Sequence, residues 1–99
     1  TVFTGNINGI AGSTSTQLFG PECLVTDPMG NLYVADRYNH RVQFFLPDQS
    51  NGIAIAGKTG IFGNNSTLLY EPLDVALDAQ LNLYVADMLN HRIQKFLRY

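Results

Sequence analysis

The chain is expected to be all-β and built from two copies of one unit. Three observations lead there: a long internal repeat, apolar runs of strand length separated by turn chemistry, and no helical period. Asn31-Leu32-Tyr33-Val34-Ala35-Asp36 returns as Asn82-Leu83-Tyr84-Val85-Ala86-Asp87, and Asn39-His40-Arg41 returns as Asn90-His91-Arg92. The shift is 51 residues, and laying 21–46 over 72–97 gives identity at 14 of 26 positions. Self-similarity at a fixed period of this size is the signature of repeat architectures. No apolar spacing near 3.6 persists over a window of about eleven residues, so helices are not expected.

The N-terminal stretch 1–6 is short and ambiguous. Ile7-Asn8-Gly9-Ile10-Ala11-Gly12 resembles Gly52-Ile53-Ala54-Ile55-Ala56-Gly57, with Ile-Ala-Gly recurring at a shift of 45. Both read as short β runs closed by glycine. A polar loop, 13–19, leads to Gly20-Pro21. Its counterpart, 58–70, is taken as six residues longer, which reconciles 45 with 51. Three strands then follow in each repeat, expected at 22–27, 31–36 and 41–46 and again at 73–78, 82–87 and 92–97. Asp27 and Asp78 open the first connections and Asn31 and Asn82 close them, which is turn chemistry.

The middle strands read Leu-Tyr-Val-Ala, apolar on both faces. A strand with one wet face alternates; continuous apolarity means that both faces are covered. Antiparallel sheets joined by turns, each held between two like sheets, describe the blades of a β-propeller. The run Asn-Leu-Tyr-Val-Ala-Asp-x-x-Asn-His-Arg-[Val/Ile]-Gln-x-Phe occurs twice and resembles the NHL repeat. With the preceding Pro-x-x-x-x-x-Asp, the resemblance covers most of the chain. It implies blades of four antiparallel strands, typically six around a central channel.

On that pattern the chain is one unit, 1–99: an outer strand about 7–12, a first repeat about 21–57 and a second about 72–97. The eight strands make two blades, phased so that the outer strand of the second lies at the other end of the sequence. Two blades cannot close on themselves, and an uncovered apolar face or sheet edge drives association. The expectation is a homotrimer closing a six-bladed ring, with Ile7, Ile10 and Ala11 in the strand that completes the adjoining subunit. Head-to-tail contacts close or run on as fibres, and propeller geometry selects closure.

Asp36, Asn39, His40 and Arg41, repeated as Asp87, Asn90, His91 and Arg92, are expected to build the blade. Asp36 closes one strand and Arg41 opens the next, so carboxylate and guanidinium face each other across a short connection. Asn39 suits a left-handed turn position, and His40 can hydrogen-bond inside the corner. A motif present in every blade builds blades more readily than it makes one active site. The two histidines have no second ligand at metal-binding spacing, and Asp27 and Asp78 are read as turn caps. Cys23, the one cysteine, excludes an intrachain disulfide and is expected to be a small buried thiol. Neither a metal, another cofactor nor a catalytic residue is expected.

Arg37, Tyr38, Met88 and Leu89 vary inside the repeating motif and are expected on one face, beside loops 13–20 and 58–71. Variable aromatic and apolar groups on a rigid frame suit recognition of a protein or peptide. The chain holds 45% hydrophobic and 14% charged residues with a net charge of −2. That balance disfavours nucleic acid as a partner, and no run approaches the ~18 apolar residues of a membrane span. Overlapping glycosylation sequons at Asn64-Asn65-Ser66-Thr67 point toward a secreted parent. The expected function is therefore a non-enzymatic, self-assembling binding scaffold. A piece of a propeller enzyme similar to the amidating lyase or hydrolases of this fold ranks second, and RNA binding third.

Overall fold

The structure is a computed structural model and describes residues 1–6 and 8–98. Among these, seven strands form two antiparallel sheets. The first blade runs in order β1 (Pro21–Thr26), β2 (Leu32–Asp36), β3 (Arg41–Phe45) and β4 (Ile53–Gly57). The second holds β5 (Pro72–Leu77), β6 (Leu83–Asp87) and β7 (Arg92–Phe96), with no fourth strand among the described residues. A 3-10 turn follows β2 (Arg37–Asn39) and another follows β6 (Met88–Asn90).

The local causes repeat with the sequence. Asp27 Oδ1 accepts the Met29 and Asn31 amides at 3.0 Å each, and Oδ2 accepts from Asn31 Nδ2 and the Tyr33 hydroxyl at 2.8 and 3.1 Å. Asp78 does the same with Gln80, Asn82 and Tyr84. Each aspartate thus sets the β1–β2 or β5–β6 turn and anchors the tyrosine of the middle strand. The second connection places Asp36 opposite Arg41 and Asp87 opposite Arg92.

The blades pack face to face. Tyr33, Ala35, Val42 and Ala56 of the first meet Val75, Leu83 and Val85 of the second, with Leu69 from the connecting loop. Cys23, Val25, Phe44, Leu77 and Phe96 extend the cluster. Identical middle strands end up differently. In β2, residues 33–36 are all buried, whereas in β6 burial alternates: Leu83, Val85 and Asp87 are buried and Tyr84 and Ala86 only half so. One face of the second blade therefore lies open, lined by Ala76, Tyr84, Ala86 and Ile93. On the far side of the first blade Leu24 stays exposed, while Phe45 is covered, with Phe3 packed edge-on at 5.9 Å.

The outer strand expected at 7–12 is corrected. Residues 8–12 form no strand, Ile10 and Ala11 are exposed, and Ile7 lies outside the described residues. The cause is the register of the repeat, which is 51 without a gap. The Gly12 amide donates to Leu18 O and the Gly63 amide to Leu69 O; Phe19 and Tyr70 amides donate to Asp36 and Asp87. Gly9 and Gly60, also 51 apart, share a positive φ of 76° and 73°. Loop 13–19 thus matches 64–70 residue for residue, and Ile10-Ala11-Gly12 corresponds to Ile61-Phe62-Gly63. The residues that correspond to β4 are 2–6.

Candidate interaction surface

Each corner is built on a buried carboxylate. Asp36 is fully buried; its Oδ1 accepts the Phe19 amide at 2.7 Å and its Oδ2 accepts from Asn39 Nδ2 and Arg41 Nε at 2.8 Å. Arg41 then spends its remaining donors on Ser13 O, Thr14 O, Gln17 O and Thr59 Oγ1. The motif therefore straps loop 13–19 to the blade. Asp87, Asn90 and Arg92 hold loop 63–70 in the same way, through Gly63 O, Asn64 O, Asn65 O and Leu68 O.

The left-handed turn residue is His40 (φ 56°), and His91 (φ 52°) in the second repeat, in place of the expected Asn39. Asn39 is held by its side chain, which bridges Asp36 and Gly12 O. The hydrogen bond of His40 reaches outside its own corner: Nδ1 accepts the Glu71 amide of the next blade at 3.1 Å. Its ring lies against the edge of the Phe62–Tyr70 pair, which stack on each other at 4.3 Å, with centroids at 5.3 and 5.6 Å from His40. Burial there lowers its pKa, against the opposing fields of Glu71 and Asp87. His91 is exposed.

The four residues expected to face a partner divide. Arg37 pairs with Glu22 at 3.0 Å and with Glu71 at 3.1 Å, and its guanidinium lies over the Tyr38 ring, so it braces the two blades. Tyr38 is exposed and tilts against Phe19 at 5.2 Å. Leu89 is exposed and Met88 half-buried. Tyr38 and Leu89 amides donate to Phe19 O and Tyr70 O, so both turns sit at the same end of their blades. Together with Phe62 and Ile61, both exposed, they give that end an apolar character.

Reasoning from the sequence missed Glu71, which clamps the junction through both its amide and its carboxylate. Its φ is +53°, and its counterpart 51 residues earlier is Gly20, at +70°. That substitution of glutamate for a turn glycine was the available signal. Cys23 Sγ donates to Asp74 Oδ1 at 2.8 Å between the two inner strands, and burial with that carboxylate pushes the thiol pKa up. Burial pushes Asp27 up as well, but hydrogen bonds from Asn31, Tyr33 and Met29 outweigh it and hold the carboxyl below its usual range. A cleft of about 280 Å³ between the blades is lined by Tyr33, Phe44, Ile55, Leu83, Phe96 and Leu97 among others, with Asp27, Asn31 and Arg98 as polar groups. No cluster of three metal-binding side chains occurs among the described residues.

A family model for the NHL repeat matches residues 20–45 and 69–96. The search of curated proteins returned no match. Among solved structures, an auxiliary nutrient-binding protein from Bacteroides thetaiotaomicron superposes with a TM-score of 0.77 at 20% identity, over 96% of this chain and 28% of that one. A candidate phosphatase from the same organism gives 0.76 at 18%, over 98% and 27%. The chain thus spans a little over a quarter of either structure, and the likeness is one of fold. The family model covers more than half of the sequence, with one match on each blade, and the chain belongs to the NHL-repeat family.

Proposed function

We propose that this chain is a non-enzymatic wall unit of a propeller, which closes into a ring with copies of itself and presents its turn-bearing end to a protein or peptide. The observation behind it is the contrast between the two middle strands. The same Leu-Tyr-Val-Ala-Asp sequence is buried on both faces in β2 and on one face in β6. Sequence suited to a sandwiched strand is left half uncovered in the single chain. Isolated repeat units cannot bury their apolar faces alone and need neighbours on both sides. Three copies of two blades give the six blades usual for the family.

The charged motif residues favour a scaffold over an enzyme. Asp36, Arg41, Asp87 and Arg92 are all engaged in holding loops, as is Arg37 in bracing the blades. What remains accessible at that end is Tyr38, Leu89 and Phe62, an aromatic and aliphatic set suited to apolar anchors on a partner. Light scattering on the purified protein at micromolar concentration is the test. A mass three times 10.9 kDa is expected, and a monomer overturns the ring.

A further inference from the structure

Resting on that self-association, we propose that the junction between copies repeats the junction inside the chain, residue for residue at a shift of 51. Residues 2–6 of one copy then form the fourth strand on β7 of the preceding one.

The junction inside the chain supplies the template. On the first blade its apolar side is formed by Val25, Tyr33, Ala35 and Val42. Adding 51 gives Ala76, Tyr84, Ala86 and Ile93, the residues that line the open face of the second blade. The other side of the template is Val75, Leu83, Val85 and Phe96. Subtracting 51 gives Leu24, Leu32, Val34 and Phe45 on the far side of the first blade. Burial identifies the missing contact. Val42 is 0% exposed and Val75 4%, but Ile93 is 67% and Leu24 59%. Each of these exposed aliphatics occupies a position that the template buries.

The strand edge obeys the same rule. Within the first blade Arg41 pairs with Gly57, Val42 with Ala56, Gln43 with Ala54 and Phe44 with Ile53. The shift converts these into Arg92 with Asn6, Ile93 with Gly5, Gln94 with Phe3 and Lys95 with Val2. The N-terminal segment already lies against the first blade, through Phe3 on Phe45 and the Thr4 hydroxyl donating to Ser50 O at 3.1 Å. It would add its free edge to β7 of the copy that docks there.

The polar latch carries over only in part. His40 and Glu71 become His91 and Gly20, so the imidazole can still accept a backbone amide. Arg37 and Glu71 become Met88 and Gly20, so the ion pair has no counterpart. The junction between copies is thus apolar where the internal one is charged, which makes it the less salt-sensitive of the two.

The experiment uses two single substitutions, one on each open face. L24K and I93K alter side chains that are exposed in the single chain, so both variants fold. Each alone is expected at the monomer mass by light scattering under conditions where the unaltered protein assembles. An equimolar mixture is expected to form a dimer and stop, because one intact junction remains between the Ile93 of L24K and the Leu24 of I93K. Separately, the double variant V2C/K95C is expected to link copies covalently without reductant, with the unaltered chain and its Cys23 as control. An unaltered protein that stays monomeric removes the ring and this junction together. Assembly that persists in either variant, a mixture that stays monomeric, or no cross-link in V2C/K95C overturns the junction alone.

Discussion

Arg41 has five N–H donors and uses all of them: one on Asp36, three on loop carbonyls and one on Thr59. Arg92 repeats the set without the last among the described residues. Exposure follows: 3% for the Arg41 side chain against 27% for Arg92. Removing one partner of a buried pair leaves the other charge uncompensated, at a cost of about 3–5 kcal/mol. Arg41→Ala is expected in that range, while solvent screening brings Arg92→Ala down to about half of it. Urea midpoints of the two variants measure the difference, and equal losses would contradict it. Gln43 presents the opposite case. It is buried, and among the described residues neither its Oε1 nor its Nε2 has a hydrogen-bond partner. Gln94, its counterpart, donates to Ser66 O at 3.1 Å. The corresponding acceptor, Ser15 O, is occupied by the Gly52 amide at 2.7 Å. An unsatisfied buried polar group costs about 1–3 kcal/mol, so Gln43→Met is expected to raise stability by about 1 kcal/mol or more. A lower melting temperature in that variant would show that the amide has partners in solution.

The hairpins were legible in the sequence because their chemistry is local and stated twice. Asp27 to Asn31 and Asp78 to Asn82 fix one turn, and Asp36 to Arg41 and Asp87 to Arg92 the other, at spacings the chain itself enforces. The outer strand was not legible, because a three-residue match at 45 competed with a sparser match of glycines at 51. The structure decides between them, through the backbone hydrogen bonds of Gly12 and Gly63, the Phe19 and Tyr70 amides on Asp36 and Asp87, and the shared positive φ of Gly9 and Gly60. The left-handed residue was misplaced for a related reason. Asparagine tolerates that conformation best, but here its side chain is committed to Asp36 and Gly12 O, so the backbone turns at histidine. His40 then becomes the element through which the first blade grips the second. It accepts the Glu71 amide only when Nδ1 is unprotonated. Burial lowers its folded pKa below the 6.5 of an unperturbed imidazole, so the unfolded chain binds the proton more tightly. Its contribution is therefore full above pH of about 6.5 and is lost as pH falls below that toward the folded pKa. Between pH 7.5 and 5.5, above the carboxylate range, the melting temperature is expected to fall in the unaltered protein. His40→Gln keeps an acceptor of similar reach and does not titrate. The drop should shrink in that variant, and a pH slope identical to that of the parent would remove His40 as its source.

At the scale of the molecule, the proposed assembly predicts a stability that depends on concentration. A chain that completes its second blade with a neighbour gains contacts that unfolding must break, and mass action then ties folding to assembly. For a trimer, each tenfold rise in concentration adds roughly 0.9 kcal/mol per chain, two-thirds of the 1.4 kcal/mol that one decade represents. A domain near 100 residues shifts its melting temperature by about 4–8 °C per kcal/mol. The midpoint is therefore expected to climb by about 4–7 °C for every decade of protein concentration once the folded chain is assembled, and to level off at the dilute end where the folded monomer prevails. Leu24 and Ile93 make the cause separable from general crowding or aggregation. Substituting lysine at either position removes apolar area that matters only when a second copy is present. Those variants should melt at one temperature across the whole series, close to that of the most dilute parent sample. Calorimetry across two decades of concentration would distinguish the cases, since a parent midpoint that does not move belongs to a molecule whose two blades are stable alone.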